Sequence, residues 1–346
     1  MPTETAGQHI RLDPLSGGRT YVCMSESLLR PRSNPKLLSL VIPLFNEEEV
    51  FQALRKRLTE FLQSLDGPAE VILVNDGSRD RTQACLEAWA AQDARIKGLC
   101  FARNFGHQIA VTAGLEHSSG DAVVILDTDL QDPPEVIQEM LLRYQEGYDV
   151  VYGQRAERAG ETLFKRATAF FFYRLMRLLI HPDLPADAGD FRLMSRQVVD
   201  ALLQMHERHR FLRGMVAWLG FAQTAVKYSR AGRAAGRTKY NLRKMLSLAW
   251  NASVSFSPAP LRVSLMAGVF IAMFGACYGV YAIIHALVIH DTVAGWTTLV
   301  VLLCLIGGWI LISIGVLGEY VAKLFEEAKG RPLYVLAKRV NLPDRQ

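Results

Sequence analysis

The chain between residues 37 and 153 alternates short apolar runs with amphipathic stretches. The runs are rich in Val, Ile and Leu and have the length of buried strands, whereas the stretches repeat apolar residues at helical spacing. Strands that alternate with helices predict an α/β fold, with a mainly parallel sheet and helices on both of its faces. The predicted strands lie at 37–43, 70–75, 96–102, 122–126 and 149–153.

The first predicted helix begins near Asn46. An asparagine at a helix N-cap satisfies free backbone amides, and acidic residues in the first turn interact favourably with the helix dipole. Asn46 is followed by three glutamates, residues 47–49. We therefore expect Asn46 to cap this helix.

The last third of the chain predicts a membrane hairpin. Residues 265–289 hold no Asp, Glu, Lys or Arg over 25 positions, and residues 292–318 hold none over 27. Each run is long enough to cross a hydrocarbon layer about 30 Å thick. Before them, an apolar stripe opposite Arg243 and Lys244 predicts a helix that lies in the membrane interface.

Basic residues flank the hairpin and are absent from the loop between its two runs. Arg262 precedes the first run, and Lys323, Lys329 and Arg331 follow the second. Because Lys and Arg accumulate on the cytoplasmic side of membrane proteins, both ends of the chain are expected to be cytoplasmic, at the cell (inner) membrane.

Composition reflects this division of the chain. Half of the 346 residues are hydrophobic and the mean hydropathy is +0.12, which is high for a soluble protein. The formal net charge of +5 is modest, and no nucleic-acid partner is expected. The five cysteines lack metal-ligand spacing and are interpreted as reduced thiols.

Three carboxylates, Asp127, Asp129 and Asp132, follow the fourth predicted strand. They repel one another unless a positive charge lies among them, and a hard divalent cation that carries phosphate oxygens meets that need. An acidic turn with an N-cap is the structural alternative. Polar residues also follow the other strands, at the edge where parallel sheets bind ligands: Asn46 and Glu47, Asp76, and Arg103 with Asn104.

Two common nucleotide-binding motifs are missing from the sequence. No GxGxxG follows the first predicted strand, and no GxxxxGK[ST] occurs anywhere in the chain. A dinucleotide-dependent oxidoreductase and a P-loop NTPase are therefore disfavoured. A nucleotide-sugar held by aspartates and a metal, without a glycine-rich phosphate loop, fits the sequence better.

Three motifs carry a family resemblance: VIPLFNEE at 41–48, VNDGS at 74–78 and DTDLQDPP at 127–134. They resemble the successive signatures of family 2, GT-A-fold glycosyltransferases. The chain from 37 to 335 resembles the polyisoprenyl-phosphate members, the bactoprenol glucosyltransferase and dolichyl-phosphate mannosyltransferase group. The organisation expected is a flexible tail (1–36), a GT-A glycosyltransferase domain (37–240), an interfacial helix and linker (241–262), a two-helix transmembrane hairpin (263–322) and a cytoplasmic C-terminal tail (323–346).

The resemblance also implies where the donor binds. Asp76 would contact the nucleotide base, in a pocket shared with Pro43. Asp127 and Asp129, with Gln131, would hold Mg2+ or Mn2+ on the donor diphosphate. The full set of expected donor-binding residues is Pro43, Asn46, Glu47, Asp76, Ser78, Arg103, Asn104 and Asp127.

Basic residues supply the expected acceptor side. Arg237 and Lys239 lie two positions apart on a loop that follows a glycine. Their two cationic donor groups are suited to gripping a phosphate monoester. Arg155 and Arg213 are further candidates for binding the acceptor phosphate.

The AGDFR segment at 188–192 resembles the acceptor-side segment of the same family. Asp190 and Arg192 are therefore expected to be catalytic, together with Asp127 and Asp129. Asp190 would orient an arginine or the acceptor, with a structural salt bridge as the alternative. An acceptor phosphate is already anionic at neutral pH and needs no strong general base. Three histidines are accordingly interpreted as structural or solvent-facing: His107, His206 and His209.

The expected reaction is the inverting transfer of one sugar, with glucose favoured, from a UDP-sugar to a polyprenyl phosphate such as undecaprenyl phosphate. The lipid-linked product would supply cell-envelope glycan or glycolipid modification. GDP-mannose, UDP-N-acetylglucosamine, UDP-galactose and UDP-formylaminoarabinose remain open as donors. A processive polysaccharide synthase is disfavoured because no Gln-x-x-Arg-Trp motif is present, and an inactive scaffold because the site residues are intact. The resemblance further implies a homo-oligomer, with a tetramer as one form.

Overall fold

The computed structural model describes residues 29–129, 131–155, 188–228, 259–289 and 295–342. The strands in these ranges are β1 (Leu38–Leu44), β2 (Ala69–Asn75), β3 (Ile96–Phe101), β4 (Ala122–Ile125), β5 (Val150–Arg155), β6 (Ala188–Ser195), β7 (Gln223–Tyr228) and β8 (Leu336–Val340). The helices are α1 (Glu48–Ser64), α2 (Thr82–Ala90), α3 (His107–Glu116), α4 (Val136–Gln145), α5 (Arg196–Leu203), α6 (Leu212–Trp218), α7 (Ala259–Ile289) and α8 (Trp296–Ala328).

The eight described strands form one mixed sheet in the order β7-β5-β6-β4-β1-β2-β3-β8. Its centre, β4-β1-β2-β3, is parallel, as the alternation of strands and helices predicts. The carboxyl ends of these four strands therefore meet at one edge of the sheet, where the predicted polar residues lie.

Helices cover both faces of the sheet, and the alternation along β1 shows how the faces are divided. Leu40 and Ile42 are fully buried against a cluster that includes residues of α1, α2 and α4. Val41 points the other way, into a cluster with residues of α3, α5 and α6. Because successive side chains of a strand point to opposite faces, this run is buried on both sides. Full burial of each such side chain contributes about 1.5–3 kcal/mol.

β6 was not predicted from the sequence, and it changes the sheet. It lies antiparallel between β4 and β5, so the fifth predicted strand does not neighbour the fourth. Asp190 and Arg192 are two residues apart on this strand and therefore share one face, whereas Phe191 packs into the core on the other. Charged residues at alternate positions hid the strand, because buried strands are recognised by their apolar runs.

The structure corrects the expectation of a tail at each end of the chain. At the N-terminal end, Arg32 Nη2 lies 2.6 Å from Asp149 Oδ1, and the Arg32 amide donates to the Gln145 carbonyl at 2.8 Å. At the C-terminal end, α8 continues to Ala328 and β8 pairs antiparallel with β3. Within both expected tails, Arg32 and β8 therefore contact the sheet domain. Residues 1–28 lie outside the described residues.

α7 and α8 are long and apolar enough to cross a membrane, over Pro260–His285 and Leu305–Ala328. They contact each other through the Ser264 and Ser313 hydroxyls, 2.6 Å apart, and the indole of Trp309 donates to the Ser264 carbonyl at 3.3 Å. The predicted interfacial helix lies outside the described residues, apart from 259–262, which already belong to α7.

Candidate active site

A cleft of about 260 Å³ opens at the carboxyl edge of the parallel strands. Its position follows from the strand order, since the loops after β1, β2, β3 and β4 all leave from this edge. Four of the expected donor-binding residues line it: Pro43, Glu47, Asp76 and Asn104. The remaining lining residues are Leu44, Phe45, Gly106, His107, Ala110 and Thr128.

Hydrogen bonds join the loop after β1 to the loop after β2. The Asn46 amide donates to Ser78 Oγ at 2.9 Å, and the Arg79 amide donates to Asn46 Oδ1 at 2.9 Å. Asn46 has a left-handed backbone with φ of 55°, which asparagine tolerates better than most residues. The prediction that Asn46 caps α1 is therefore wrong: Glu47 holds the cap position, without a side-chain capping bond. Asn46 and Ser78 instead fix the rim of the cleft.

Asp76 ties the end of β2 to the start of α3. Its Oδ1 accepts from the Phe105 amide at 2.6 Å and its Oδ2 from the Gly106 amide at 3.0 Å. Burial raises the pKa of Asp76 even though both amides favour the carboxylate. Asp76 therefore shapes the cleft as well as lining it.

The loops after β2 and β3 touch each other at Gly77. Its φ is +67°, and a Cβ on this residue would lie 2.4 Å from the Arg103 carbonyl carbon. Only glycine fits such a close approach in the left-handed region. The guanidinium of Arg103 lies 3.9 Å from the centre of the Phe105 ring. Arg103 and Asn104 are thereby held beside the cleft.

Asp127 presents an unsatisfied oxygen at the site. Its side chain is 31% exposed, but Oδ1 is fully buried and has no hydrogen-bond partner among the described residues. Burial, and then the neighbouring carboxylates, raise the pKa of Asp127 to about 6 against the opposing effect of His107. Gln131 Oε1 is buried and unpartnered in the same way, and the Gln131 amide donates to Asp129 Oδ1 at 3.1 Å. These oxygens fit a bound cation, because a buried acceptor without a donor costs free energy.

The protein alone does not surround a metal in the part of the chain that the structure describes. No group of three or more His, Cys, Asp or Glu residues there is arranged to hold one. Two carboxylates and an amide oxygen leave coordination positions for substrate and water. Mg2+ is commonly held in this way, by one or two carboxylates together with substrate phosphates.

His107 lies between two carboxylates at the site, and it is also solvent-facing, as the sequence predicts. Its Nε2 is 3.5 Å from Asp190 Oδ2 and 3.7 Å from Asp127 Oδ1, although 42% of the side chain stays exposed. Burial disfavours the imidazolium, but the hydrogen bond with Asp190 and the charge of Asp127 outweigh it and raise the pKa of His107. The imidazole ring thus lies between Asp127, a candidate metal ligand, and Asp190 on β6.

Asp190 is the most heavily bonded carboxylate of the site. Arg213 donates Nε to Oδ1 at 2.8 Å and Nη2 to Oδ2 at 3.2 Å, and Gln108 Nε2 also donates to Oδ2 at 3.2 Å. Burial alone would raise its pKa, yet the hydrogen bond with His107 and the charge of Arg213 hold the pKa of Asp190 well below its usual range. Asp190 is therefore an anion in a salt bridge with Arg213, and it also orients that arginine. From the sequence, the orienting role and the structural salt bridge are alternatives, and the geometry is compatible with both.

Arg192 lies beneath this cluster. It is 4% exposed, its Nη2 donates to the Gly189 carbonyl at 3.0 Å, and its Nε has no hydrogen-bond partner among the described residues. Burial lowers the pKa of Arg192 to about 10, against the charge of Asp190. Its guanidinium brings positive charge to the inner side of the site.

The expected acceptor residues are only partly placed. Arg213 is at the site, and the backbone of Arg155 ends β5, in register with Tyr228. Arg237 and Lys239 lie outside the described residues. The Tyr228 hydroxyl donates a short hydrogen bond to buried Asp132, so the end of β7 is tied to the aspartate motif.

Several residues of the site were missed by sequence reasoning: Phe45, His107, Gln108, Thr128 and Tyr228. His107 and Gln108 follow the third predicted strand, so the rule that singled out Arg103 and Asn104 extends to them. Nothing in the local sequence points to Tyr228, because its partner lies 96 positions away.

Comparison with known proteins agrees with this geometry. The model of the glycosyl transferase family 2 matches residues 39–203, and that of the GtrB C-terminal hairpin matches residues 259–324. An uncharacterized glycosyltransferase of Bacillus subtilis, YkcC, is 44% identical over 308 residues, which are 89% of this chain and 95% of that protein. The bactoprenol glucosyl transferase of Shigella phage SfII is 42% identical over 301 residues, 87% of this chain and 97% of that one.

Among solved structures, glucosyl-3-phosphoglycerate synthase from Mycobacterium tuberculosis, in complex with Mn2+, UDP-glucose and phosphoglyceric acid, matches with a TM-score of 0.44. It is 21% identical, and the match covers 64% of this chain and 78% of that one. A likeness this distant has no bearing on substrate or metal.

The fold and the site define a glycosyltransferase with a mixed GT-A-type sheet. The chain belongs to glycosyl transferase family 2, and it joins this domain to a C-terminal hairpin, as the similar bactoprenol glucosyl transferases support. The predictions of family, fold and enzyme class are confirmed.

Proposed function

We propose that this enzyme transfers a single glucosyl group from UDP-glucose to a polyprenyl phosphate, with inversion at the anomeric carbon. The observation that carries the proposal is the pair of unsatisfied buried oxygens, Asp127 Oδ1 and Gln131 Oε1, near Asp129 in the segment whose Thr128 lines the cleft. The bactoprenol glucosyl transferases, 40–42% identical over most of the chain, support the choice of glucose and of a lipid acceptor.

Asp127, Asp129 and Gln131 are proposed to hold Mg2+ or Mn2+. When bound, the ion supplies charge neutralisation on the departing UDP, an effect worth several kcal/mol. Around the nucleotide, Phe45 offers a ring that is 45% exposed at the cleft. The proposed nucleotide contacts are Pro43, Asn46, Glu47, Asp76, Ser78, Arg103 and Asn104.

In the proposed reaction an oxygen of the lipid phosphate attacks the anomeric carbon, and the bond from that carbon to the UDP oxygen breaks. No proton has to be removed from an anionic phosphate, so the chain needs no general base. Asp190 fixes the direction of Arg213 through two hydrogen bonds. Arg213, Arg192, Arg155, Arg237 and Lys239 are the proposed source of positive charge for the acceptor phosphate.

The proposed organisation places the soluble donor and the lipid acceptor on the same side of the membrane. α7 and α8 form the hairpin, the segment 241–258 lies in the interface, and the catalytic body and both termini are cytoplasmic at the inner membrane. Support comes from the basic residues at the outer ends of the hairpin and from its match to the GtrB C-terminal hairpin. A homo-oligomer, with a tetramer as one form, is part of this proposal.

A transfer assay tests the proposal. Membranes that contain the enzyme and polyprenyl phosphate are incubated with radiolabelled UDP-glucose, UDP-galactose, UDP-N-acetylglucosamine, UDP-formylaminoarabinose or GDP-mannose, with and without EDTA. We expect label from UDP-glucose in the lipid fraction, and none when EDTA is present. Label from another donor alone would reassign the sugar, and labelling in EDTA would refute the metal site.

A further inference from the structure

One short segment of the chain contacts both the second membrane helix and the active site. At its first residue, the Arg208 amide donates to Glu327 Oε1 at 2.7 Å. The guanidinium of the same residue donates from Nη1 to the Arg331 carbonyl, also at 2.7 Å. Arg208 thus makes two hydrogen bonds, one to the last turn of α8 and one to the residues that follow it.

The next residue adds a second contact to the same helix turn. His209 Nε2 lies 2.7 Å from Glu326 Oε2. Glu326 and Glu327 both belong to the last turn of α8, which ends at Ala328. Two consecutive residues of the segment therefore bind two consecutive residues of the helix.

The other end of the segment is part of the active site. The Leu212 amide donates to Gln108 Oε1 at 3.0 Å, and the Leu212 side chain is 1% exposed. Arg213 then makes its two hydrogen bonds to Asp190. Gln108 connects Asp190 with Leu212, because its Nε2 donates to Asp190 while its Oε1 accepts from the Leu212 amide.

The segment is too short to leave these two ends independent. Six residues span at most roughly 20 Å even when fully extended, and 212–213 already belong to α6. The end of α8 is also tied to the sheet through β8, which pairs with β3. A shift of the helix end relative to the sheet therefore pulls on residues 208–213.

We propose that Glu326 and Glu327 are positioning residues, which set the Arg213–Asp190 pair from the end of the second membrane helix. The inference rests on the proposed function and adds a structural link between the membrane anchor and the acceptor side of the site. The glutamates themselves do not touch substrate; they act through Arg208 and His209.

Hydrogen–deuterium exchange of the full-length protein in phospholipid nanodiscs tests the link without relying on catalysis. The variant is Glu326→Ala with Glu327→Ala, and the matched control is Glu319→Ala, two turns earlier on the same helix. We expect about tenfold faster exchange across 212–218 in the double variant and no change in the control. Faster exchange confined to 208–209, or none at all, would overturn the proposal.

A conservative variant separates positioning from loss of folding. Glu327→Gln keeps an oxygen that accepts from the Arg208 amide, so its exchange across 212–218 should match the wild-type protein. If this variant exchanged as fast as the double alanine variant, the hydrogen bond would not be the cause and the inference would fail.

Transfer kinetics give the functional readout. The double alanine variant should lose about tenfold in kcat, with its KM for UDP-glucose within twofold of wild type. In an Arg213→Lys background the same two changes should cost little more, because they act through Arg213. Full additivity would contradict the inference. Absence of transfer by the wild-type enzyme would refute the proposed function, while the exchange result would still decide the link.

Discussion

Arg213 and Asp190 meet with two parallel hydrogen bonds, Nε to Oδ1 at 2.8 Å and Nη2 to Oδ2 at 3.2 Å. Such a bidentate pair fixes direction as well as charge, since the guanidinium plane must align with the carboxylate. Asp190 lies on β6 and Arg213 on α6, so the pair joins two elements of the fold. The two residues are 23 positions apart in the sequence.

Replacing Arg213 with lysine keeps the positive charge and removes the planar guanidinium that makes two hydrogen bonds to Asp190. We expect Arg213→Lys to lower kcat for transfer to polyprenyl phosphate roughly 10–100-fold, because a lysine does not reproduce a bidentate site. Arg143→Lys is the control, since Arg143 pairs with Glu146 on the surface of α4. Equal activity of the two variants would show that charge alone suffices at position 213.

Gln108 supports the same pair from α3. Gln108→Met keeps the length of the side chain and removes both of its hydrogen bonds, to Asp190 and from Leu212. We expect a loss of about tenfold in kcat, in line with one to two lost hydrogen bonds of about 1 kcal/mol each. Gln83→Met serves as control, because Gln83 bonds Glu87 within α2. The measurement is a transfer assay with both variants at matched protein concentration.

The metal-site candidate is tested at Asp129. Asp129→Asn should leave a folded, membrane-bound protein that transfers at least about 100-fold less sugar, because this carboxylate is proposed to hold the cation that neutralises the departing diphosphate. Calorimetric binding of UDP in the presence of Mn2+ should weaken in parallel. Asp66→Asn, in an exposed turn after α1, is the control. Normal transfer by Asp129→Asn would exclude the proposed metal role.

The proposal that Arg237 binds the acceptor phosphate is tested by replacing this residue. We expect Arg237→Ala to raise the KM for polyprenyl phosphate far more than the Kd for UDP, because a phosphate monoester needs charged donors. Steady-state kinetics with varied lipid, together with UDP binding by calorimetry, separate the two effects. Equal losses on both substrates would assign Arg237 to the donor side.

Glu70 lies at the amino end of β2, away from the site, and its replacement tests how much its hydrogen bonds stabilise the fold. Its Oε1 accepts from Ser39 Oγ at 2.5 Å and the Ser119 amide at 2.7 Å, and its Oε2 lies 2.5 Å from Lys97 Nζ. Glu70→Gln should destabilise the protein by roughly 1–3 kcal/mol, because the amide lacks the charge that pairs with Lys97 and offers one acceptor oxygen in place of two. Thermal unfolding followed by tryptophan fluorescence checks this, with Glu60→Gln as a control on the surface of α1.

The contribution of Glu70 also depends on pH. Burial favours the neutral acid, but the hydrogen bonds from Lys97, Ser39 and Ser119 hold the pKa of Glu70 below its ordinary value. The folded state thus binds the proton less tightly than the unfolded chain. The stabilisation is complete above the unfolded-state pKa and is lost as pH falls through the lower folded-state pKa. The Tm difference between wild type and Glu70→Gln should therefore shrink below about pH 4; a constant difference would contradict this account.

The parallel half of the sheet was predictable because its information is local. β1, β2 and β4 are largely apolar and are followed by polar residues, so both the strands and the positions of Asp76 and Asp127 follow from short stretches of sequence. The same signal located the cleft, since all these ends meet at one edge.

The acceptor side was less predictable because its information is distributed. His107 gains its role from Asp190, which is 83 positions away on a strand whose alternating charges hid it. β8 is short and carries Lys338 and Arg339, so nothing in its own pattern distinguishes it from a polar tail. The His107–Asp190 ion pair and the β8–β3 strand pairing each join residues far apart in the sequence, and such contacts cannot be inferred from a single sequence.

The position of β8 has a consequence for biosynthesis. Seven of the eight described strands leave the ribosome before either apolar helix, whereas the strand that covers the edge of β3 is made after both. Until then, β3 exposes unpaired backbone groups that can template pairing with another chain. The nascent sheet therefore stays open at the β3 edge until β8 has been synthesised, after both apolar helices.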